Sequence, residues 1–452
     1  MIVAFPIEIS AREYLSKIFC AYQILKNTDY RVVFGKKSEI YNFYKKNSGV
    51  YLITKGGTLE HFAFKKEFTN NKLSLLDEEG PLINFSYKSD FIARTNSDVL
   101  KKISDYYCWG NEDYKMMKKK KINEKLFISG HPKYDLCNRK YRIFFDDEKK
   151  LLTKKYGKFL LVASSFIGAD GYIENDIYSK WIVKAVEKKN RKKKKKDLFN
   201  YFKDDQLNYK RLIDLTKKIS LRYPDLKIIF RPHPRQDILK VKNRFDKNIY
   251  KNITINNEGS ITPFIYSCKY YLHSGCTTSL EAALLEKKIL YLKNNFKNKN
   301  LYQRFGTTIG NINQNILLDK FFNLGYFYDL KKNNIDKFIY NNKKQFFYKY
   351  LIKKLKKINL ISKDIILGDL PKKNYFLSKL KEIMYDSKLL LIFFSLFNIN
   401  LLLNKKYKTS KFESLDINEI KKKIKKFQII DKVNFQFKIK KVNNDSVVLI
   451  KK

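Results

Sequence analysis

"LKIIFRPHPR", residues Leu226–Arg235, reads as an apolar strand that runs straight into a loop stiffened by two prolines. Pro232 and Pro234 fix φ and push the residues before them towards extended backbone, so His233 is presented in one orientation. A second His-Pro pair lies in "ISGHPKYD" (Ile128–Asp135), and a third His opens "HSGCTTSLEA" (His273–Ala282). Both also follow short apolar runs. The chain has 4 histidines in 452 residues, so most of its histidine is spent at expected strand exits.

Working outward, short apolar runs alternate with helical patterns. "IVAFPIE" (Ile2–Glu8) is an expected strand, followed by a helix opening at Ser10 with Glu13 at the capping-box offset. Tyr14, Ile18, Ala21, Tyr22 and Leu25 fall on one face of that helix. "YRVVFG", "GVYLIT", "KLSLLDEEG", "SDYYCWG" and "KLFISG" continue the alternation up to a helix near Tyr141–Tyr156 that ends at Gly157. The pattern restarts with "KFLLVASS", a long basic helical region, "LKIIFRPHP", "NITINN", "KYYLHSG", a helix from about Thr277, and "KILYL". Strands spaced by helices imply parallel βαβ units. The expected fold is therefore α/β, with two Rossmann-like domains facing a cleft at residues 1–156 and 157–325. A Lys-rich, mainly helical C-terminal extension occupies 326–452, with a late hairpin in "VNFQFKIKKVNNDSVVLI" (Val433–Ile450). Ligands of such sheets bind beyond the carboxyl ends of the strands.

An apolar share of 44% is that of a globular protein, and the net charge of +49 directs attention to anionic partners. The excess is lysine, accompanied by abundant Asn, Ile, Tyr and Phe, a pattern of A/T-rich coding. Runs such as Lys118–Lys121 and Arg191–Lys196 read as solvated surface, and no nucleic-acid partner is expected. The 5 cysteines lack a CxxC spacing and fit reduced, buried thiols, hence a cytoplasmic chain. "LLLIFFSLFNINLLL" (Leu389–Leu403) is too short to span a bilayer. It reads as a buried tail helix or as an interfacial helix on the inner face of a membrane.

Three motifs carry chemistry. His233 is suited to protonate or pair with a leaving phosphate, with Arg231 or Arg235 adding forked contacts beside Pro234. His273, Ser274, Gly275, Thr277, Thr278 and Ser279 form a small-residue, hydroxyl-rich lead into a helix, which suits an anion. Glu281, one turn later, is suited to accept sugar hydroxyls or to face solvent. "LLDEEGP" places Asp77, Glu78 and Glu79 at a strand end, where adjacent acids raise at least one pKa and supply a general base. No metal-ligand cluster or DxD is apparent, and the Asp pairs at Asp146 and Asp204 lie in polar helical stretches.

An acid-acid-Gly element in the first half, with an HP and a Ser/Thr element in the second, resembles bacterial CMP-sugar transferases of the GT-B fold, the sialyl-, polysialyl- and Kdo transferases. "FPIEISAREYLSKI", "LLDEEG", "ISGHPKYDL" and "YGKFLLVASSF" are similar to the bacterial surface carbohydrate biosynthesis protein family, whose third segment usually reads G-N-P-R-x-D. The likeness spans roughly residues 1 to 290. It implies Glu78 as base with Glu79 beside it, His233 as the phosphate-facing acid, and Ser274 with Thr277–Ser279 on the phosphate. The extra Asp77 leaves the register of the base open. His131 stands where the family has Asn, and is expected to form a strand-exit turn, with Asp135 in the cleft. The resemblance implies transfer of a keto-sugar acid from a CMP donor to a glycan or lipid-linked acceptor, with no cofactor and no metal. A polyol phosphotransferase using a CDP-linked donor is the alternative within enzymes, and a nucleic-acid- or membrane-binding protein the alternative outside them.

Overall fold

The structure is a computed structural model. It describes residues 1–55, 70–78, 100, 102–119, 122, 125–184, 191–293, 306–310, 312–323, 335, 346–362, 412, 414–443 and 445–452. The expected tail segment Leu389–Leu403 lies outside them, as does Glu79. Among the described residues, no helix is long and apolar enough to cross a membrane.

The chain divides into two compact units, one of residues 1–54, 64–73 and 354–452 and one of residues 55–63 and 74–353. In the first unit, β1 (Ile2–Ile7) is buried along its whole length and pairs in parallel with β2 (Arg31–Lys36) and β3 (Val50–Thr54). The first helix, Ser10–Asn27, starts where expected, but Ile9 is its N-cap. Glu13 reaches back to the Glu8 N–H (2.7 Å). Ile18, Ala21, Tyr22 and Leu25 are buried as the helical spacing requires.

The C-terminal hairpin is formed. Two further strands, at Phe437–Asn443 and Ser446–Lys451, pair antiparallel, and the second continues onto β2. The hairpin thus covers the β2 edge, and Phe437–Asn443 becomes the outermost strand on that side. The helix Ile417–Asp431 covers the first sheet, with Phe427 against Phe19 and Tyr22.

In the second unit, β4 (Lys72–Leu76, whose first two residues belong to the first unit), β5 (Asp105–Cys108) and β6 (Leu126–Ile128) pair in parallel in that order. The remaining strands form a sheet of their own: β7 (Phe159–Ala163), β8 (Lys227–Arg231), β9 (Ile253–Ile255), β10 (Tyr270–His273), β11 (Lys288–Leu292) and β12 (Thr307–Ile309). Its order is β12-β11-β10-β7-β8-β9, all parallel. Counted from β9, this is the 3-2-1-4-5-6 order of a doubly wound dinucleotide-type fold, with its switch point between β7 and β10. Side chains alternate cleanly. Leu160, Val162, Ile228, Phe230 and Leu272 pack on Leu212, Leu215 and Ile219 of the long helix Arg191–Arg222. Phe159, Leu161, Ile229 and Tyr271 pack on Ile265, Ala282 and Leu285 on the other face. Helices on both faces explain why these strands read as continuous apolar runs.

Gly35 of β2 is the tightest point of the hairpin's docking. A Cβ there would come within 2.2 Å of the Asp445 carbonyl and 2.5 Å of Ser446 Cα. Gly35→Ala is therefore expected to destabilise the protein by ~1–3 kcal/mol through overpacking and to expose the hairpin to proteolysis. Thermal melting and limited digestion followed by mass measurement check both; a melting point equal to that of the parent would show that the hairpin is not held there.

Candidate functional site

The motifs gather at carboxyl ends of adjacent strands of the second unit. Asp77 and Glu78 follow β4, Trp109 follows β5 and His131 follows β6. His131 Nε2 lies 3.1 Å from Glu78 Oε2, both side chains being almost fully buried. The Trp109 ring packs on His131 with centroids 4.7 Å apart, and its indole N–H donates to the Asp77 carbonyl (2.8 Å). Glu78 is thus held by a histidine.

In the second sheet, Ser164 follows β7, the RPHP loop follows β8 and Ser274 follows β10. These three strands are neighbours in the order β8-β7-β10, so their exits share one edge at the switch point. Among the described residues, the hydroxyls of Ser164 and Ser279 are buried without a hydrogen-bond partner. Native proteins rarely leave buried polar atoms so, and an oxyanion at this edge would satisfy them.

The three described histidines share one local device. His131 Nδ1 accepts the Lys133 N–H, His233 Nδ1 the Arg235 N–H, and His273 Nδ1 the Gly275 N–H, each at 3.2 Å. Each ring caps the turn that follows it, so each neutral ring carries its proton on Nε2. In the His131 pair that proton points to the Glu78 carboxylate. His233 is half-buried and Pro234 exposed, while Gln236 Oε1 accepts the His233 N–H (2.8 Å). His273 is fully buried, with its ring against Tyr271 and Tyr291, and it also accepts the Cys276 N–H (3.3 Å). It shapes the loop through Gly275, whose φ is +92°.

Several expected contacts are absorbed by the fold. Arg231 donates to Asn256 Oδ1 (2.8 Å) and to the Glu258 and Gly259 carbonyls, and lies over Phe264. Burial brings its pKa down to about 10. Arg235 donates to the carbonyls of Ile167 and Ile173 and lies 3.7 Å over the Tyr178 ring. Both guanidiniums therefore brace loops rather than fork around a phosphate. Ser274 donates to the Leu292 carbonyl (2.9 Å), and Thr278 Oγ1 lies 2.5 Å from the Tyr271 hydroxyl. Thr277 remains half-buried at the rim. Glu281 neither faces solvent nor stands open to a sugar: it is fully buried in an ion pair with Lys133, and Thr262 donates to its other oxygen (3.3 Å).

Three residues have partners that the sequence pattern did not show. His131, expected as a simple turn, holds Glu78. Asp135, expected in the cleft, is buried and accepts the N–H groups of Phe347 (3.1 Å) and Tyr348 (3.2 Å), capping the helix Phe347–Leu355; burial raises its pKa. Asp205, expected on a polar helix face, is buried and accepts the Gly168 N–H (2.6 Å), anchoring the loop after β7. Beside that loop opens a cavity of about 690 Å³, lined among others by Asp170, Glu174, Lys210, Asp214, Lys240 and Arg244. The available signal was the Gly-x-x-Gly of the loop, Gly168 to Gly171, against the Asp204–Asp205 pair on the long helix Arg191–Arg222.

No family model matches the sequence, and no curated protein matches it. Among solved structures, a variant of the wall teichoic acid polymerase TagF soaked with CDPG aligns at TM-score 0.50 and 12% identity, over 79% of this chain and 88% of that one. The fold is GT-B-like, with two Rossmann-like domains. UDP-GlcNAc 2-epimerase from Methanocaldococcus jannaschii, in complex with UDP-GlcNAc and UDP, aligns at TM-score 0.49 and 14% identity, over 79% of this chain and 99% of that one. The UDP-GlcNAc 2-epimerase of Neisseria meningitidis aligns at 0.47 and 12%, over 79% and 99%.

Burial pushes the Asp205 carboxyl up to about 7, against the hydrogen bond from Gly168 and the charge of Arg235. An acid whose folded pKa is raised contributes stability that is complete below its ordinary range and is lost as pH rises through the folded value. Between roughly pH 4 and pH 7, Asp205 should therefore cost stability with rising pH. Asp205→Asn keeps an acceptor for Gly168 without the titration. Its melting point relative to the parent should climb as pH rises across that window; a constant difference would remove Asp205 as the cause.

Proposed function

We propose that the chain is a GT-B glycosyltransferase that moves a keto-sugar acid from a CMP-linked donor to a hydroxyl of a bacterial surface glycan. The carrying observation is the buried Glu78–His131 pair at the exit of β4. A carboxylate held by an Nε2–H donor is a base with a fixed orientation, suited to take the proton from an acceptor hydroxyl. As that proton moves to Glu78, the acceptor oxygen bonds to the anomeric carbon, and the bond from that carbon to the CMP phosphate oxygen breaks. His233, with its proton on Nε2, and the hydroxyls at the β7 and β10 exits are suited to meet the charge that collects on the phosphate. Glu79 and Asp77 are the remaining candidates for the base, and Thr277 for the phosphate rim.

A second reading uses the same residues. In transfer from a CDP-linked polyol, the acceptor oxygen attacks phosphorus, the P–O–P bridge breaks and CMP again leaves. It is favoured by the GT-B neighbour at TM-score 0.50, which was soaked with CDPG, and by the use of Arg231 and Arg235 inside the fold, which removes two cations a keto-acid carboxylate would call on. The net charge of +49 supports work at an anionic inner-membrane surface, where an acceptor is presented.

A panel of CMP-keto-sugars and CDP-polyols, each given with a glycan acceptor, separates the readings. CMP should be released only with a productive donor, and the mass added to the acceptor names it: a sugar acid supports the first reading, a polyol phosphate the second. Release from neither would remove the transferase. On the productive donor, His233→Ala should lower turnover by ~10²-fold, as for loss of a general acid or charge stabiliser. Glu78→Gln should abolish transfer while CMP still binds. Full activity in Glu78→Gln together with an inactive Asp77→Asn would move the base by one position.

A further inference from the structure

The "GHPKYD" turn, Gly130–Asp135, reaches three separate elements. His131 Nε2 holds Glu78 at the exit of β4. Two residues on, Lys133 reaches Glu281 on the short helix that follows the β10 exit, and Glu281 is fully buried. Two residues further, Asp135 takes the first N–H groups of the helix Phe347–Leu355. Tyr134, between them, is fully buried with its ring near His131. Pro132 stands at the first helical position, where its locked φ starts the turn, and His131 caps it. The spacing of the three polar side chains is therefore fixed by a single rigid turn.

We infer that His131 and Lys133 are positioning residues: this turn sets the Glu78 carboxylate relative to the β10 exit through the pair of Lys133 with the buried Glu281. The pair holds geometry firmly because the fully buried Glu281 carboxylate, left without the half-buried Lys133, is strongly disfavoured. The catalytic part of the inference rests on the transferase reading; the mechanical part does not. Glu281 is thereby assigned to the joint, in place of the sugar-hydroxyl contact expected of it. His131 does not exchange the substrate proton. Its Nδ1 is committed to the Lys133 N–H, and its Nε2–H serves to aim the carboxylate.

Hydrogen exchange by mass spectrometry on the full chain tests the mechanical part without any substrate. Lys133→Met should raise exchange in residues 274–285 at least about tenfold, since a buried carboxylate is stranded. Adding Glu281→Gln removes the stranded charge and should return exchange towards that of the parent. Unchanged exchange in Lys133→Met, or no recovery in the double variant, overturns the joint. For catalysis, His131→Leu should lower kcat with the CMP affinity kept, whereas His131→Gln, which retains an N–H donor at the same reach, should keep most of the rate. Equal losses in Leu and Gln overturn the aiming role. A parent inert on every donor would defeat the transferase reading alone, and the exchange data would then still decide the joint.

Discussion

In a fully parallel sheet every strand leaves at the same edge, and a doubly wound order brings the exits of its central strands side by side with helices diverging from them. That constraint governs this molecule. Ser164, the RPHP loop and Ser274 lie far apart in sequence, yet β8, β7 and β10 are neighbours, so their exits share one edge. Glu78, Trp109 and His131 are brought together in the same way by β4, β5 and β6. The chemistry follows from strand order first and from residue type second.

The histidines show how a scarce residue can serve fold and function at once. Each closes the turn after its strand by accepting the N–H two residues on. That bond decides which nitrogen carries the proton and leaves Nε2 as the donor. The resulting roles differ with the neighbours: a carboxylate for His131, aromatic rings and full burial for His273, partial exposure at the rim for His233. The general acid proposed at His233 and the aiming donor proposed at His131 rest on the same local structure in two environments.

Much of the architecture was legible because period-2 and apolar-run patterns report directly on sheets with covered faces. The exits of the RPHP and HSGCTTS strands were placed correctly, as was the late hairpin; the short strand Thr307–Ile309 was not, being too brief to show a pattern. The partners of charged groups were not legible. Arg231 and Arg235 look like phosphate ligands in sequence, but their nearest acceptors are carbonyls of loops whose path depends on the whole fold. Lys133 and Glu281 are 148 positions apart and meet only because two strand edges are brought together. The turn at His131 was legible, but its hold on Glu78 was not, because that carboxylate lies 53 residues upstream.

The most direct test is a crystal structure of the full chain with CMP bound. If the exits of β8, β7 and β10 form the donor site, the CMP phosphate should lie at that edge, within hydrogen-bond distance of His233 Nε2 and of the Ser279 or Ser164 hydroxyl. A phosphate seated in the cavity between Lys210 and Lys240, or beside Glu78, with His233 untouched, would contradict it.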